Sequence, residues 1–345
     1  MVENLEKLRG LAGDKSLLKN LTKYARPDVK RSLGQLANSL IPFFALWGLM
    51  YWSLSVSYWL TLALAVPAAG FMVRIFIIFH DCGHGSFFKS KKANDLVGII
   101  TGIITLTPYH RWKHDHAIHH ATAGDLDRRG VGDVQMLTVA EYLALPRWKQ
   151  VIYRLSRNPL LMFTVGAWSV FIFVHRFYKR GAGKLERNSV HLTNLAWLGI
   201  LLIAHLTIGL RDFFLVHFPI VAIGTTFGVW LFYVQHQFEG SYWERHEKWD
   251  FILTALQGSS FYRLPRVLQW FSGNIGFHHI HHLNPRIPNY QLPRCHAEIP
   301  VFQYVRPLTL MRSLKSLSYR LWDEESQRMV GFGALKQLRQ NQAAS

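Results

Sequence analysis

Residues 74–84 read RIFIIFHDCGH, an apolar run that ends in two histidines four positions apart. The run closes a much longer one: from Leu40 to Phe79 the only formal charge is Arg74. A stretch of that length makes two spans of about 20 residues each, as a hydrocarbon core of roughly 30 Å demands. The spans are placed at about 38–56 and 58–79, with Ser53, Ser55 and Ser57 alternating with aromatic residues at the break. Two further spans fall at 192–210 and 213–235, separated by Arg211 and Asp212. The run 96–108 is too short to cross. The run 160–175 is short and has basic flanks on both sides.

Charge sets the orientation. Residues 1–36 mix Lys7, Arg9, Lys15, Lys19, Lys23, Arg26, Lys30 and Arg31 with leucines at helical spacing. They lack the short apolar core of a secretory signal, and read as a basic amphipathic arm on a cytoplasmic membrane surface. The segment 176–187 carries Arg176, Lys179, Arg180, Lys184 and Arg187 and should share that side. Parity then keeps 160–175, like 96–108, in the plane of the leaflet or re-entrant. Both termini are expected in the cytoplasm. The fold class is an all-α integral membrane protein: four transmembrane helices and a cytoplasmic helical cap, in one membrane domain from 37 to 345 after the arm.

Composition agrees. Of 345 residues, half are hydrophobic and 17% are charged, against about 25% charged in an ordinary soluble protein. The net charge of +18 calls for an anionic neighbour, and for so apolar a chain that is a lipid surface. No nucleic-acid-binding motif occurs, so nucleic acid is set aside. Two cysteines, Cys82 and Cys295, supply neither a disulfide framework nor a thiolate metal site.

Three histidine clusters stand out. Residues 80–84 read HDCGH, 114–120 read HDHAIHH and 278–282 read HHIHH. His80/His84, His116/His120 and His278/His282 are i,i+4 pairs, with His119 and His281 as i+3 members. On a helix such residues share a face and can aim at one ion. The H-x-x-H-H spacing selects His278 over His279. His236 sits at the inner end of the last span, where an imidazole without a partner is costly. His205 and His217 read as packed membrane histidines. His110, His114, His175, His191, His246 and His296 read as surface or supporting residues. The nine candidate ligands (His80, His84, His116, His119, His120, His236, His278, His281 and His282) exceed what one ion holds, so two ions are implied. Asp81, Asp115 and Asp125 are the nearest acids by sequence, either as supports of ligands or as ordinary capping residues.

Imidazole suits zinc, copper, iron and nickel alike. The HExxH pattern of zinc hydrolases is absent. An all-imidazole pair of ions beside hydrocarbon makes more sense for iron and O₂, because an unactivated methylene C–H yields only to a strong oxidant.

The clusters resemble those of the membrane fatty acid desaturases, and the flanking stretches are similar to bacterial acyl-lipid desaturases of the cold-induced Bacillus type. Those stretches are RIFIIFHDCGHGSFF (74–88), IHHATAGDLDRRGVGD (118–133), GVWLFYVQHQFE (228–239), GNIGFHHIHHLNPRIPNY (273–290) and SYRLWDEES (318–326). The resemblance covers about residues 15–330. It implies a di-iron, O₂-dependent desaturase acting on a saturated acyl chain of membrane phospholipid or another acyl carrier, in a bacterial plasma membrane and from the cytoplasmic side. Hydroxylases and ketolases share the clusters and stay open as the alternative. Eight cluster histidines carry over as iron ligands, and His236 maps onto the family's additional histidine.

The resemblance further implies a separate electron donor of the ferredoxin or flavodoxin type, since no HPGG haem-binding motif occurs. Overexpressed protein could fill with zinc. Asn274 is a candidate support for the site or a turn residue, and Arg128 and Arg129 are candidate head-group contacts or a solvated pair. Gln135 stands where members of the family tend to carry an aromatic residue, which makes it a candidate for the acyl channel.

Overall fold

The computed structural model describes Leu8, Gly10 and residues 15–335, so most of the first fourteen residues of the basic arm and the last ten of the chain lie outside the described residues. The chain is largely helical. α1 spans Lys15–Leu21, α2 Val29–Ser53 and α3 Tyr58–His84. α4 spans Lys91–Ile104, α5 Tyr109–Thr122, α6 Lys184–Thr207 and α7 Leu210–His236. The short α8, Arg266–Phe271, and α9, His278–Leu283, follow.

Local chemistry sets the ends. Asp28 caps α2 by accepting from the Arg31 amide at 3.1 Å, and Ser90 caps α4 by accepting from Ala93. α3 stops at Gly85, whose φ of 69° is the left-handed cap that a glycine takes without steric cost. α2 starts well before position 38, because Arg31 and the polar residues up to Ser39 turn toward protein and water rather than ending the helix.

Among the described residues, five helices are long and apolar enough to cross a membrane: α2, α3, α6, α7 and the segment Pro159–Arg176. Their outer faces carry large exposed apolar side chains, such as Trp59, Leu195, Leu198 and Leu206, as lipid contact requires. α3 is the most buried and packs against both α2 and α7. Gly224 lets α7 come close, its missing Cβ falling 3.2 Å from Met72 Sδ.

The segment Pro159–Arg176 is irregular, with a π turn at 162–166 and a 3-10 turn at 174–176. Both its flanks meet residues at the histidine-bearing end of the bundle. Before it, Arg157 donates to Gln237, the residue after His236. After it, Lys179 pairs with Asp115 at 2.8 Å, and Arg111 donates to the carbonyls of Val174 and Phe177. α4 and α5 likewise form a hairpin. Leu106 turns the chain at φ 56°, and a Cβ on Gly102 would lie 2.5 Å from the Thr107 carbonyl.

The described residues also contain five short strands, which an all-α reading omits. β1 (Leu137–Thr138) pairs in parallel with β4 (Leu321–Asp323), which pairs antiparallel with β5 (Arg328–Val330). β2 (Phe261–Arg263) pairs in parallel with β3 (Pro307–Thr309). Pieces of two or three residues have no room to show a period of two. The apolar side of the arm is engaged by protein: Leu17, Leu21 and Tyr24 are buried against Ile252, Leu256 and Ile280.

Candidate metal centre

α3 ends in His80 and His84, one turn apart, and α5 carries His116, His119 and His120. α7 ends in His236, and α9 is built almost wholly from the third cluster. These four helix pieces bring all nine predicted histidines together in two groups. His80, His84, His116, His120 and His281 form the first, and His119, His236, His278 and His282 the second. Within each group one nitrogen per ring lies within 4.8 Å of all the others. The two adjacent pairs are divided between the groups. His120 and His281 serve the first, His119 and His282 the second, and the His120 and His282 rings stack at 4.1 Å.

The nitrogens are set as a cation would require. Nε2 of His120 faces Nε2 of His116 at 3.2 Å and of His281 at 3.0 Å. Nε2 of His236 faces His119 at 3.1 Å and His278 at 3.0 Å, and His282 faces His278 at 3.1 Å. His84 Nε2 is buried with no hydrogen-bond partner. Neutral imidazoles have one donor and one acceptor each, so this many converging Nε2 atoms are poorly satisfied by one another and well satisfied by metal ions. Burial, with the neighbouring imidazoles second, holds His116, His120, His278, His281 and His282 well below the ordinary histidine range. That favours the neutral form, whose lone pair is the ligand.

Carboxylates support one ring in each group. His80 Nδ1 lies 3.3 Å from Asp81 Oδ1, while Asp81 Oδ2 accepts from the Asn289 backbone at 2.8 Å and from its side-chain amide at 2.9 Å. Gln35 on α2 exchanges two hydrogen bonds with the same Asn289 amide. His119 Nδ1 donates to Asp133 Oδ1 at 2.5 Å, which leaves its Nε2 as the free acceptor. Burial pushes the Asp133 carboxyl up, but the charge and hydrogen bond of His119 outweigh it and hold the pKa below the usual range. Trp112 stacks on His116 at 4.2 Å.

Other candidates are placed elsewhere. Asp115 points to Lys179 and His114, away from the groups. Asp125 is fully buried and ties a loop, accepting from Arg128 Nε at 2.5 Å and His246 Nδ1 at 2.8 Å. Arg128 pairs through Nε with Asp125 and keeps an exposed side chain, while Arg129 pairs with Glu141 and donates to the Met136 carbonyl. Gln135 is exposed on a cavity of about 310 Å³ whose wall mixes Asp127, Arg129 and Glu141 with Leu126, Val134, Met136, Leu137 and Trp243. Asn274 has φ 60° and donates to the Asn289 carbonyl at 3.2 Å, one step behind Asp81. His279 packs among Phe261, Phe302 and His296.

Asp133, Asn289 and Trp112 are supports that the sequence did not disclose. Asp133 lies within the stretch 118–133 that carries the resemblance, fourteen positions after His119, but a glycine-rich loop hides the pairing.

The fatty acid desaturase family model matches residues 56–309. Over 324 residues the chain is 52% identical to a fatty acid desaturase of Bacillus subtilis (strain 168), which covers 94% of this chain and 92% of that one. It is 29% identical over 257 residues to the sn-1 oleoyl-lipid 12-desaturase of Anabaena variabilis, covering 73% and 72%. It is also 29% identical over 235 residues to an sn-1 acyl-lipid omega-3 desaturase (ferredoxin) of Synechocystis, covering 64% and 62%. Each of these relatives is named a desaturase. With the histidine groups in place and a match across most of its length, the chain belongs to the fatty acid desaturase family, the oxidoreductases that make acyl chains unsaturated.

Proposed function

We propose that the chain introduces a double bond into a saturated acyl chain of a membrane phospholipid, using two iron ions held by the two imidazole groups and electrons from a separate carrier of the ferredoxin or flavodoxin type. The observation that carries this reading is the division of nine histidines, seven buried and two half-buried, into adjoining groups of five and four at the end of a membrane bundle. When bound, the iron pair supplies the activation of O₂: two hydrogens leave adjacent carbons, and O₂ with two electrons and two protons leaves as two waters. The protein's part is position. Asp133 and Asp81 set the tautomer and angle of His119 and His80, and Asn289, held by Gln35, fixes Asp81 in turn. Trp112 and Phe232 pack on His116 and His119 and shield those rings from water.

In the proposed topology α2, α3, α6 and α7 cross and Pro159–Arg176 re-enters, because Arg157 and Lys179 on its two sides both meet the histidine-bearing end. That end is assigned to the cytoplasmic side of a bacterial plasma membrane by the basic segment 176–187. Expression in a host without an endogenous desaturase, followed by gas chromatography of total fatty acids, is the direct test. A new unsaturated species that disappears in His281→Ala is expected. Iron-loaded protein with a competent reductant and no new double bond would falsify the reading.

A further inference from the structure

One sizeable cavity does not belong to the histidine groups. It encloses about 540 Å³ between the first turns of α2, the middle of α3 and α8, and three guanidiniums line it: Arg31, Arg74 and Arg266. No carboxylate is among its lining residues. Arg74 is 6% exposed and its hydrogen-bond partners are neutral: Ser39 Oγ at 3.1 Å, the Trp270 carbonyl and Asn38 Oδ1 at 3.5 Å. Its guanidinium also lies 3.8 Å from the centre of the Trp270 ring. The nearby acids are already engaged, Asp28 in capping α2 and Asp81 with Asn289. A buried cation without an anion is costly, and Arg74, with the exposed Arg31 and Arg266 on the same cavity, makes a site for an anion from outside the chain.

We infer that this cavity receives the phosphate of the acyl carrier, and that the carrier is a phospholipid entering sideways from the membrane. Arginine forks match phosphate oxygens, and Gln35 and Asn38 add neutral groups for the ester and glycerol oxygens. The flanks decide between carriers that share a phosphate. Trp270 on α8 lines the cavity and is exposed, and Leu33 on α2 and Val267 on α8, next in sequence to lining residues, are exposed apolar side chains, which suits a mouth open to hydrocarbon better than one open to a soluble carrier. The inner wall includes Asn289, which bonds Asp81, which in turn meets His80. A phosphate held here sits one hydrogen-bonded layer from the first histidine group. The assignment rests on the reading of the substrate as an acyl lipid.

The test uses full-length protein in neutral detergent and a fluorescent phosphatidylglycerol, displaced in turn by unlabelled phosphatidylglycerol, diacylglycerol with the same chains, acyl-coenzyme A and inorganic phosphate. Phosphatidylglycerol should compete best, and diacylglycerol at least about tenfold less well. The double variant Arg31→Gln/Arg266→Gln, both at exposed positions, should lose about tenfold or more in phosphatidylglycerol affinity with diacylglycerol affinity unchanged; Lys149→Gln should change neither. Unchanged phosphatidylglycerol binding in the double variant overturns the site. Diacylglycerol competing equally well overturns the phosphate, and acyl-coenzyme A or inorganic phosphate competing best overturns the lipid. Binding is read without turnover, so a chain that binds as expected but makes no double bond refutes the proposed reaction and leaves the cavity assigned.

Discussion

Asp133 Oδ1 lies 2.5 Å from Nδ1 of His119, joining the loop after the second histidine cluster to the second histidine group. The loop is held to the shape this needs by Gly130, whose amide donates to the other Asp133 oxygen at 3.2 Å, and by Gly132, where a Cβ would lie 3.1 Å from the Asp115 carbonyl. Asp133→Ala removes the group that orients His119, and losses at such supports are about 10–100-fold in metal affinity or activity. Asp115→Ala, on the outward side, should leave both near wild type. Metal content of the two purified variants, measured by mass spectrometry, separates the roles, and equal content would show that Asp133 does not support the ligand.

His84 and His281 belong to the group of five, and His84 Nε2 has no partner within the protein. His84→Ala or His281→Ala should abolish product and lower bound metal, while the protein still inserts and purifies as a folded species. Retained turnover in both variants would remove these residues from the ligand set.

Gly276 precedes the third cluster, and its carbonyl accepts from the Tyr262 amide at 2.7 Å. A Cβ there would stand 2.3 Å from the Tyr262 carbonyl, so β2 and the start of α9 must part. Overpacking of this kind costs about 1–3 kcal/mol. Gly276→Ala is expected to lower the melting temperature and the product yield together, although it touches no imidazole. A variant with normal stability and activity would mean that α9 tolerates the shift.

Membrane topology is open to labelling, because the native Cys82 and Cys295 are both buried. Cysteines placed at Ser156 and Arg180 should react with an impermeant reagent from the same side, and one at Arg211 from the opposite side. Labelling of the first two from opposite sides would make Pro159–Arg176 a crossing helix and the topology one of five spans.

The loops around the second cluster should give the protein an acid limit. Burial raises the carboxyls of Asp125 and Glu141, but the hydrogen bonds of Arg128 and His246 to the first, and of Arg129 to the second, leave both below the usual range. Asp133 behaves likewise through His119. A carboxylate with a depressed folded pKa adds stability that is complete above its unfolded value, near 4, and disappears as pH falls through the folded value. Melting temperature should therefore hold near neutrality and fall below about pH 4. Asp125→Asn, which cannot titrate, should flatten that fall; an unchanged slope would assign the acid limit to other groups.

Much of the site was legible because its chemistry is concentrated in short motifs. Helical spacing placed His80 beside His84 and His116 beside His120, and a run of apolar residues ending in histidine tied the metal groups to a membrane helix. All nine histidines chosen on that basis converge. The helix ends were less legible, because polar residues that continue a membrane helix, such as Arg31 and Gln35, leave no mark in hydropathy when protein covers them.

What needed three dimensions was everything that depends on which chain segments meet. The sequence by itself determined the apolar helices, the histidine clusters that could hold metal and the resemblance, since these depend on residue type and local period alone. Only the tertiary structure decided that adjacent histidines serve different groups and that Asp133 rather than Asp115 or Asp125 supports a ring. It also decided that Arg128 and Arg129 pair with Asp125 and Glu141 while Arg31, Arg74 and Arg266 line a cavity with no carboxylate. The physical reason is that a helix period determines which side chains share a face, whereas the partner of that face is set by loops and packing that no local pattern encodes.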